Sequence, residues 1–329
     1  MLTPHRDDTT GETTGERAEE RAEELARQWV RQRGRLVGVA YAVLGSRAEA
    51  EDVVADCWLR LVGADAAERV RDVEAWATVA VARRALDVLR SARSRRESYV
   101  GPWLPEPLLT GGPGGDPADR VTLDERVSYA LMVVLETLTP AERTAWVLHE
   151  LFGVPFADVA RAVGRSPAAV RQLASRARAH VAAGAGRVEV DPGEHRRVTA
   201  AFLAATAGGD LGALLALLDP AVVLTSDGGG VVSAARRSVH GADRVARFLA
   251  GLARKRLGGA TVRVVRVNGG AGFAVAGASG TVLVGALTVV SGTVRRVDLV
   301  LNPAKLPAAP PAAPPAAPPA GAPPVRAGA

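Results

Sequence analysis

The pattern of apolar and polar positions in the first third of the chain is helical. From about residue 22 to residue 96, apolar residues recur three or four positions apart, which predicts helices that each bury one face. Gly45 ends the first helix, and Ser46 begins the second, with Glu49 placed to complete a capping box. We expect residues 21–97 to form one helical domain.

Both ends of the chain lack a pattern that could build a core. Residues 1–20 are rich in Thr, Glu, Arg and Gly, and residues 307–329 are largely repeats of proline and alanine. Such compositions bury too little apolar surface to offset the entropy of ordering the chain. We predict a disordered lead-in and a disordered, polyproline-like tail.

Helical patterning stops in the segment 98–120, where Pro102, Pro105 and Pro107 exclude a regular helix. Four apolar side chains nevertheless occur close together in it: Tyr99, Val100, Trp103 and Leu104. Because apolar area left in water is costly, this linker is predicted to dock on another surface.

A second helical block occupies residues 121–185. Thr139-Pro140-Ala141-Glu142 has the residues of a helix start, with proline at the first helical position. A short helix from Phe156 to Val163 is followed by a turn at Gly164, and Pro167 opens a longer helix. This spacing predicts a helix-turn-helix.

The longer helix has an exposed face of one charge sign. Its outward positions are Arg171, Gln172, Ser175, Arg176 and Arg178, and no acidic residue occurs between Asp158 and Glu189. A solvated helix face ordinarily mixes both signs. A purely basic face suits a phosphate backbone, and Arg or Gln can read base edges in the major groove. The alternative is a helical hairpin inside an unrelated bundle.

A second basic cluster lies on the third helix of the first block. A polar connection from Gly63 to Asp72 precedes this helix, which is predicted from about Val73 to Arg96. Asp87 and Glu97 are the only acids near its arginines, which are Arg83, Arg84, Arg90, Arg93, Arg95 and Arg96. A charge run of this kind is often only a solvated face, but two basic helical modules favour a bipartite contact with DNA.

The pattern changes to strands after Pro192. Two helices, 193–207 and 211–218, come first, and a helix at 242–257 interrupts the strands. The Val/Thr-rich runs between glycines are 221–225, 231–239, 260–267, 272–276, 281–290 and 293–301. For residues 190–306 this predicts an α+β domain with a curved antiparallel sheet, so the chain is multi-domain.

Charge and cysteine content narrow the function classes. The 329 residues carry a net charge of +6, which favours a polyanionic partner. The single cysteine, Cys57, excludes an intrachain disulfide and a cysteine-based zinc site. With no signal-peptide pattern and no apolar run near the ~20 residues of a membrane span, we expect a cytoplasmic protein.

The first block resembles region 2 of the extracytoplasmic-function (ECF) RNA polymerase sigma factors of the sigma-70 family. The resemblance rests on Ala40–Ser46, Ala50–Val54, Trp58–Leu61 and the run from Ala75 to Arg96. It implies that the second helix docks on a coiled coil of the polymerase largest subunit through Glu51, Asp52, Trp58 and Arg60. It also implies that the promoter −10 element is contacted by Trp76, Arg83, Arg84, Arg90 and Arg93. Asp56-Cys57 departs from the usual residues of the docking helix.

The second block resembles region 4 of the same family, on Leu138–Arg143 and the helix-turn-helix. This implies binding of the −35 element by Arg171, Gln172, Ser175, Arg176 and Arg178, and contact with the polymerase flap. Together the two resemblances cover residues 25–183.

Three further motifs, at Tyr99–Pro107, Asp227–Gly230 and Asn302–Leu306, are similar to the signatures of a sigma subgroup that carries a fused SnoaL-like (NTF2-like) domain. In that subgroup the domain is taken to regulate the sigma factor in cis. The motifs imply regulatory contacts by Trp103, Leu104, Pro105, Glu106, Asp227, Gly228, Gly229, Asn302, Pro303, Lys305 and Leu306. Ala304 stands where an Asp is usual. The fold is a cone with a pocket, which could take a small-molecule ligand.

Two alternatives to a sigma factor follow from the same residues. A ligand-responsive helix-turn-helix regulator would not need the block at 40–96, and a fusion retaining SnoaL-type isomerase or cyclase activity would need a catalytic set. The candidate catalytic residues of such a fusion are Asp227, His240 and Asp298. Because no triad and no metal-ligand spacing is visible, we expect no catalytic residue, metal or cofactor.

Overall fold

The computed structural model describes residues 9–97, 99–110, 127–185, 191–256, 259–277 and 280–306. The first block consists of helices α1 (Thr9–Leu44), α2 (Arg47–Ala67) and α3 (Val73–Glu97). The second block consists of α4 (Tyr129–Leu135), α5 (Pro140–Trp146), a π-helical turn (Val147–Leu151), α6 (Phe156–Val163) and α7 (Pro167–Ala185). None of the described helices combines the length and apolarity that a membrane span requires.

Helix α1 begins at Thr9, so the disorder predicted for residues 1–20 is wrong from residue 9 onward. The segment from Glu16 to Ala26 is almost entirely Glu, Arg and Ala, which are strong helix formers and extend the packed helix towards its start. Arg21 then ties it down, with Nη2 2.6 Å from Oδ1 of Asp65 on α2. Residues 1–8 and the predicted tail at 307–329 lie outside the described residues.

Helix α2 starts where the sequence predicts and ends later. The Ser46 hydroxyl accepts a hydrogen bond from the backbone N–H of Glu49, 3.4 Å away. The predicted polar connection begins at Gly63, but the helix runs to Ala67 because one glycine among alanines does not end a helix.

The second block has the predicted local signals. Thr139 and Glu142 form a capping box at the start of α5. Gly164, at φ +70°, makes the left-handed turn between α6 and α7. The hydroxyl of Ser166 accepts from the N–H of Ala169 at 3.2 Å and caps α7. The helix-turn-helix is therefore present as predicted.

The two helical blocks share their hydrophobic cores. Ala82 and Leu86 of α3 are buried in one cluster with Val159 and Val163 of α6. In a second cluster, residues of α1 and α2 are buried together with Met132 and other side chains of the second block. Arg35 of α1 also donates to the carbonyl oxygen of Phe152 at 3.3 Å. The blocks form one packed unit.

The carboxy-terminal domain has the predicted α+β architecture. Helices α8 (Pro192–Gly208), α9 (Leu211–Leu217) and α10 (Ala242–Arg256) cover one face of a sheet. Its strands are β2 (Leu218–Asp227), β3 (Val239–His240), β4 (Thr261–Val267), β5 (Gly270–Gly277), β6 (Gly280–Val290) and β7 (Thr293–Val300). The linker adds strand β1 (Leu109–Thr110), giving the order β1-β4-β5-β6-β7-β2-β3.

One expectation for this sheet is corrected. The strand predicted at 231–239 reduces to Val239–His240, because residues 228–238 satisfy their backbone locally. The N–H groups of Val231 and Val232 donate to the Gly228 carbonyl, and that of Ala235 donates to the Ser226 hydroxyl. The sheet is antiparallel as predicted, except that β2 pairs with β7 in parallel.

The two faces of the sheet contact different parts of the molecule. Phe273, Leu283 and Leu299 belong to the core beneath the domain's own helices. On the opposite face, Val284 and Val300 are buried with Leu104 of the linker and Tyr129 of α4. The same strands therefore support the domain's interior and its contact with the helical blocks.

Candidate nucleic-acid interface and linker junction

The five predicted recognition residues of α7 are all exposed. Two of them pair with acids from other elements. Nε of Arg176 lies 2.9 Å from Oε1 of Glu142, and Arg178 pairs with Glu150. The Arg171 guanidinium lies 5.5 Å from the centre of the Phe156 ring. Exposed ion pairs of this kind are weak, so these arginines can exchange their partners for phosphates.

The predicted −10 residues lie along α3. Trp76 is half-buried, and Arg83 and Arg90 are exposed. Arg84 donates from Nε to Oδ2 of Asp56 at 2.9 Å, so the residue that departs from the usual docking-helix sequence ties α2 to α3. The side chain of Arg93 lies outside the described residues.

The predicted polymerase-docking residues lie on α2. Glu51 accepts a hydrogen bond from Nε of Arg47 at 2.9 Å, whereas Asp52 and Arg60 are exposed. The half-buried Trp58 ring lies 5.5 Å from the ring of Trp29. Leu59, which follows Trp58, is 70% exposed.

The residues predicted to make regulatory contacts lie together at one place, which we call the linker junction: residues 99–108, Asp227–Gly229 and Asn302–Leu306. Leu104, Pro105 and Pro107 are buried there, as expected of a docked linker. Val100 is an exception, since it is 57% exposed.

The carboxylate of Asp227 is at the centre of the junction and is fully buried. Its Oδ1 accepts from the Tyr99 hydroxyl at 2.6 Å and from the Gly229 N–H at 3.0 Å. Its Oδ2 accepts from the Leu104 N–H at 2.9 Å and from Nζ of Lys305 at 2.7 Å. A buried carboxylate with this many donors is well satisfied, and here the donors come from three separate segments.

Lys305 contacts both Asp227 and the linker. Besides Asp227, its Nζ donates to the Leu104 carbonyl at 2.6 Å. The same atom lies 3.8 Å from the centre of the Trp103 ring, a favourable cation–π position. Lys305 thus clamps Trp103 and Leu104 against the end of β2.

Gly229 and Asn302 let the chain after β2 pack directly against the end of the domain. A side chain on Gly229, at φ +65°, would collide with the Asn302 amide. That amide donates to the Tyr99 hydroxyl at 2.9 Å, and its oxygen accepts from the Ala304 N–H. The Ala304 side chain is exposed, as is Pro303, whereas Leu306 packs against the outer face of the sheet.

Glu106 attaches the linker to the first block. Its Oε2 accepts from the Arg47 N–H at 2.8 Å and from the Ser46 hydroxyl at 3.2 Å, at the start of α2. Its carbonyl accepts from the Tyr41 hydroxyl at 2.7 Å, and its N–H donates to the Gly45 carbonyl. Burial raises the pKa of Tyr41 above its usual range.

Sequence reasoning missed Asn268, whose side chain contacts the linker, the first block and the second block. It lies in the turn between β4 and β5 at φ +46° and is buried. Its Oδ1 accepts from the Leu108 N–H at 3.0 Å, and its Nδ2 donates to the Tyr41 hydroxyl at 2.9 Å and the Val127 carbonyl at 3.4 Å. The Asn-Gly dipeptide predicts a hairpin turn. No local signal indicates the contacts.

The second block contacts both the junction and the first block. The Tyr129 hydroxyl of α4 donates to the Pro105 carbonyl at 2.8 Å. Arg143 of α5 is buried, donates from Nε to the Ala42 carbonyl at 2.9 Å and pairs with Glu136. The Trp103 ring packs on Gly45 beside this pair, so the linker touches the boundary between the blocks.

The three residues considered for catalysis lie on the neighbouring strands β2, β3 and β7. Asp227 belongs to the junction, and His240 is exposed on β3. Asp298 is buried on β7, where its carboxylate pairs with Arg296 at 2.8 Å. Burial raises the pKa of Asp298, and Arg296 opposes that rise. Among the described residues, no cluster of His, Cys, Asp or Glu is arranged to hold a metal ion.

Comparisons with known proteins agree with the order of these parts. The family model for sigma-70 region 2 matches residues 29–95, and that for sigma-70 region 4 matches residues 128–181. The ECF RNA polymerase sigma factor SigJ of Mycobacterium tuberculosis is 43% identical over 284 residues, covering 83% of this chain and 90% of that protein. The probable ECF sigma factor SigI of the same organism is 40% identical over 216 residues, covering 65% of this chain and 71% of its own. The crystal structure of SigJ matches with a TM-score of 0.70 at 38% identity, over 85% of this chain and 97% of that one.

Proposed function

The chain belongs to the ECF RNA polymerase sigma factors, and from that premise we propose that its carboxy-terminal domain switches it in cis by holding the two promoter-reading blocks together. As a sigma factor it binds core RNA polymerase and directs initiation to particular promoters. Its site of action would be the cytoplasm, where core polymerase is.

We assign the roles within the interface by position. The exposed stripe of α7 would read the −35 element, and the basic face of α3, with Trp76, would contact the −10 element. Glu51, Asp52, Trp58 and Arg60 on α2 would dock on the polymerase coiled coil.

The packed arrangement of the blocks is incompatible with reading both elements at once. Two elements about 25 base pairs apart are separated by about 85 Å of duplex at 3.4 Å per base pair. Here α3 packs on α6, and α6 on α7. Since packed helices lie about 8–10 Å apart, α3 and α7 are separated by only about 20 Å. Promoter binding therefore requires the blocks to separate.

The docked linker makes the junction the control point. The 29 residues 98–126 reach about 100 Å when fully extended, at 3.3–3.6 Å per residue, which is long enough for both elements. In the docked state, however, the linker is bonded to both blocks, through Glu106 to the start of α2 and through Pro105 to Tyr129 of α4. Separation of the blocks therefore requires these contacts to break, and release of the linker permits it. The observation that carries this proposal is the buried Asp227 carboxylate with its donors from the linker and Lys305.

We further infer that the domain regulates without catalysing a reaction. The cavity between its helices and sheet is lined, among the described residues, by no ionisable side chain. Asp227, His240 and Asp298 all lie away from that lining. General acid–base or nucleophilic chemistry needs such a group at the substrate.

Transcription reconstituted with core polymerase tests the switch. Asp227→Asn keeps the shape of the side chain but weakens its hold on Lys305 and the linker, so promoter-specific transcript should increase severalfold at equal protein concentration. Asp219→Asn is the control, because it alters a half-buried, paired carboxylate of the same strand whose partner is Arg295 and not the linker. An unchanged transcript level from Asp227→Asn, with the linker more sensitive to protease, would contradict regulation through the junction.

A further inference from the structure

The carboxy-terminal domain contains a cavity of about 290 Å³ between helices α8 and α10 and the inner face of the sheet. Its size is at the low end of the range for small-molecule sites. The walls are formed by Phe202 of α8, Leu252 of α10, and Val262, Phe273 and Leu283 of the sheet.

The lining is apolar almost throughout. Its one hydroxyl among the described residues belongs to Thr206, and that group already donates to the Phe202 carbonyl at 2.7 Å. A charged or strongly polar molecule would lose its hydration here without gaining a partner, which is strongly unfavourable. An apolar molecule has no favourable hydration to lose, and it gains contact with the aromatic and aliphatic walls.

The walls also include small residues where larger ones would fill the space. Ala204 and Ala207 on α8 and Ala253 on α10 face the cavity. Unfilled volume inside a domain lowers its stability, and leucine at any of these positions would reduce that volume. Ala204 and Ala207 are exposed as well as lining the cavity, so a molecule can reach it from solvent beside them.

From this lining we infer that the cavity is a binding site for a compact, uncharged, apolar small molecule, whose binding is the input to the switch. The inference rests on the proposed regulation in cis for its consequence, although the site itself does not depend on it.

The strands provide a physical route from the cavity to the junction. Along β5, β6 and β7, side chains alternate between the two faces of the sheet. Leu283 lines the cavity, and the next residue, Val284, packs with Tyr129 and Leu104 on the other face. Leu299 and Val300 form a second such pair. An occupant that shifts these strands changes the surface on which the linker docks. Binding and linker release are then reciprocally coupled.

Binding of a neutral fluorescent probe to the full-length protein tests the site. N-phenyl-1-naphthylamine is the probe, and 8-anilinonaphthalene-1-sulfonate has the same ring system with an added negative charge. We expect saturable binding of one neutral probe per chain and at least tenfold weaker binding of the sulfonate. Absence of saturation, or equal binding of the two, would overturn the inference.

A pair of variants locates the probe. Ala253→Phe fills the cavity and should weaken binding at least tenfold. Ala201→Phe makes the same change at an exposed position on α8 that does not line the cavity, and should leave binding unchanged. If Ala253→Phe does not fold, as judged by circular dichroism, Val282→Thr makes the half-buried lining polar at the same volume and should weaken binding likewise. Wild-type affinity in a folded variant rejects the site.

The coupling has its own readout. Asp227→Asn should change the probe dissociation constant at least threefold, and an unchanged constant would overturn the cavity's part in the switch. Failure of the site and failure of the proposed function are separable. If the wild-type protein does not bind the probe but Asp227→Asn increases transcription, only the site is rejected. If the probe binds and Ala253→Phe weakens that binding, but Asp227→Asn leaves transcription unchanged, only the regulation in cis is rejected.

Discussion

Nζ of Lys305 lies 2.7 Å from Oδ2 of Asp227, although 78 residues separate them in the chain. The pair is almost entirely buried, with 11% and 0% of the two side chains exposed. Because the Leu104 N–H and carbonyl bind the same two groups, the pair holds the linker between the end of β2 and the end of the domain.

Lys305→Met should release the linker. It leaves the Asp227 carboxylate buried without its cation, which for a buried pair is destabilising by about 3–5 kcal/mol. Limited proteolysis within 99–110 and thermal unfolding measure the effect. Lys255→Met, at the only other lysine, is the control and should behave as wild type. The double variant Asp227→Asn/Lys305→Met should be less destabilised than the sum of the two single variants. Additive effects would argue against the pair.

Asn268→Gly should loosen the contact between the domain and both helical blocks. Glycine tolerates the left-handed backbone at this position, so only the side-chain hydrogen bonds to Leu108, Tyr41 and Val127 are lost. At about 1 kcal/mol each, the free energy of unfolding should fall by about 3 kcal/mol. Ser291→Gly, at another non-glycine residue with positive φ, is the matched control and should be neutral. A loss no larger than that of the control would refute the role of Asn268.

Ala82→Glu should separate the two blocks, because it places a charge in the buried contact between α3 and α6. Spin labels at Ser91→Cys on α3 and Ser175→Cys on α7 would report the distance. Cys57 is buried and its pKa is raised to about 11 by that burial, so it should remain unlabelled at neutral pH. The wild type should give a single short distance, and Ala82→Glu a longer, broader distribution. Ala55→Glu, at an exposed position of α2, should give the wild-type distance.

Substitutions on α7 should divide into base readers and phosphate binders. Gln172→Ala should relax preference at one base pair of the −35 element by about 1–3 kcal/mol. Arg176→Ala should weaken binding to all sequences alike and reduce the slope of log K against log salt by about 1. Arg247→Ala removes the same charge from an exposed position of α10 in the carboxy-terminal domain and should change neither. Competition binding with single-base promoter variants, at several salt concentrations, measures both effects.

His195 should make the carboxy-terminal domain sensitive to acid. Burial lowers the pKa of His195, while its Nε2 bonds to the Leu287 carbonyl at 3.0 Å. The unfolded chain therefore binds more protons, and stability is lost as pH falls below about 6.5. Above that pH the residue contributes no pH dependence. His195→Gln should flatten this dependence between pH 6.5 and 5 in denaturant unfolding, whereas His240→Gln, at an exposed histidine, should not. A wild-type pH profile for His195→Gln would disprove the assignment.

The sequence by itself determined the elements whose signals are local. Thr139 with Glu142, Gly164 and Ser166 place the helix-turn-helix because capping and turn preferences act within four residues. The same holds for the order of the parts and the docking of Leu104, since a Trp-Leu pair between prolines is unstable in water. Local patterns gave wrong predictions for two segments. Residues 9–20 are helical because the packed helix propagates towards its start, and residues 231–238 are not a strand because backbone groups there bond locally, as the Ala235 N–H does to the Ser226 hydroxyl.

Only the tertiary structure decided what the linker junction joins. Asp227 is an ordinary turn residue in sequence, and its four donors come from residues up to 128 positions away. Asn268, the pairs of Arg176 with Glu142 and Arg178 with Glu150, and the contact of α3 with α6 are likewise set by packing. Burial and electrostatics act through space, so which distant groups meet depends on how whole elements pack.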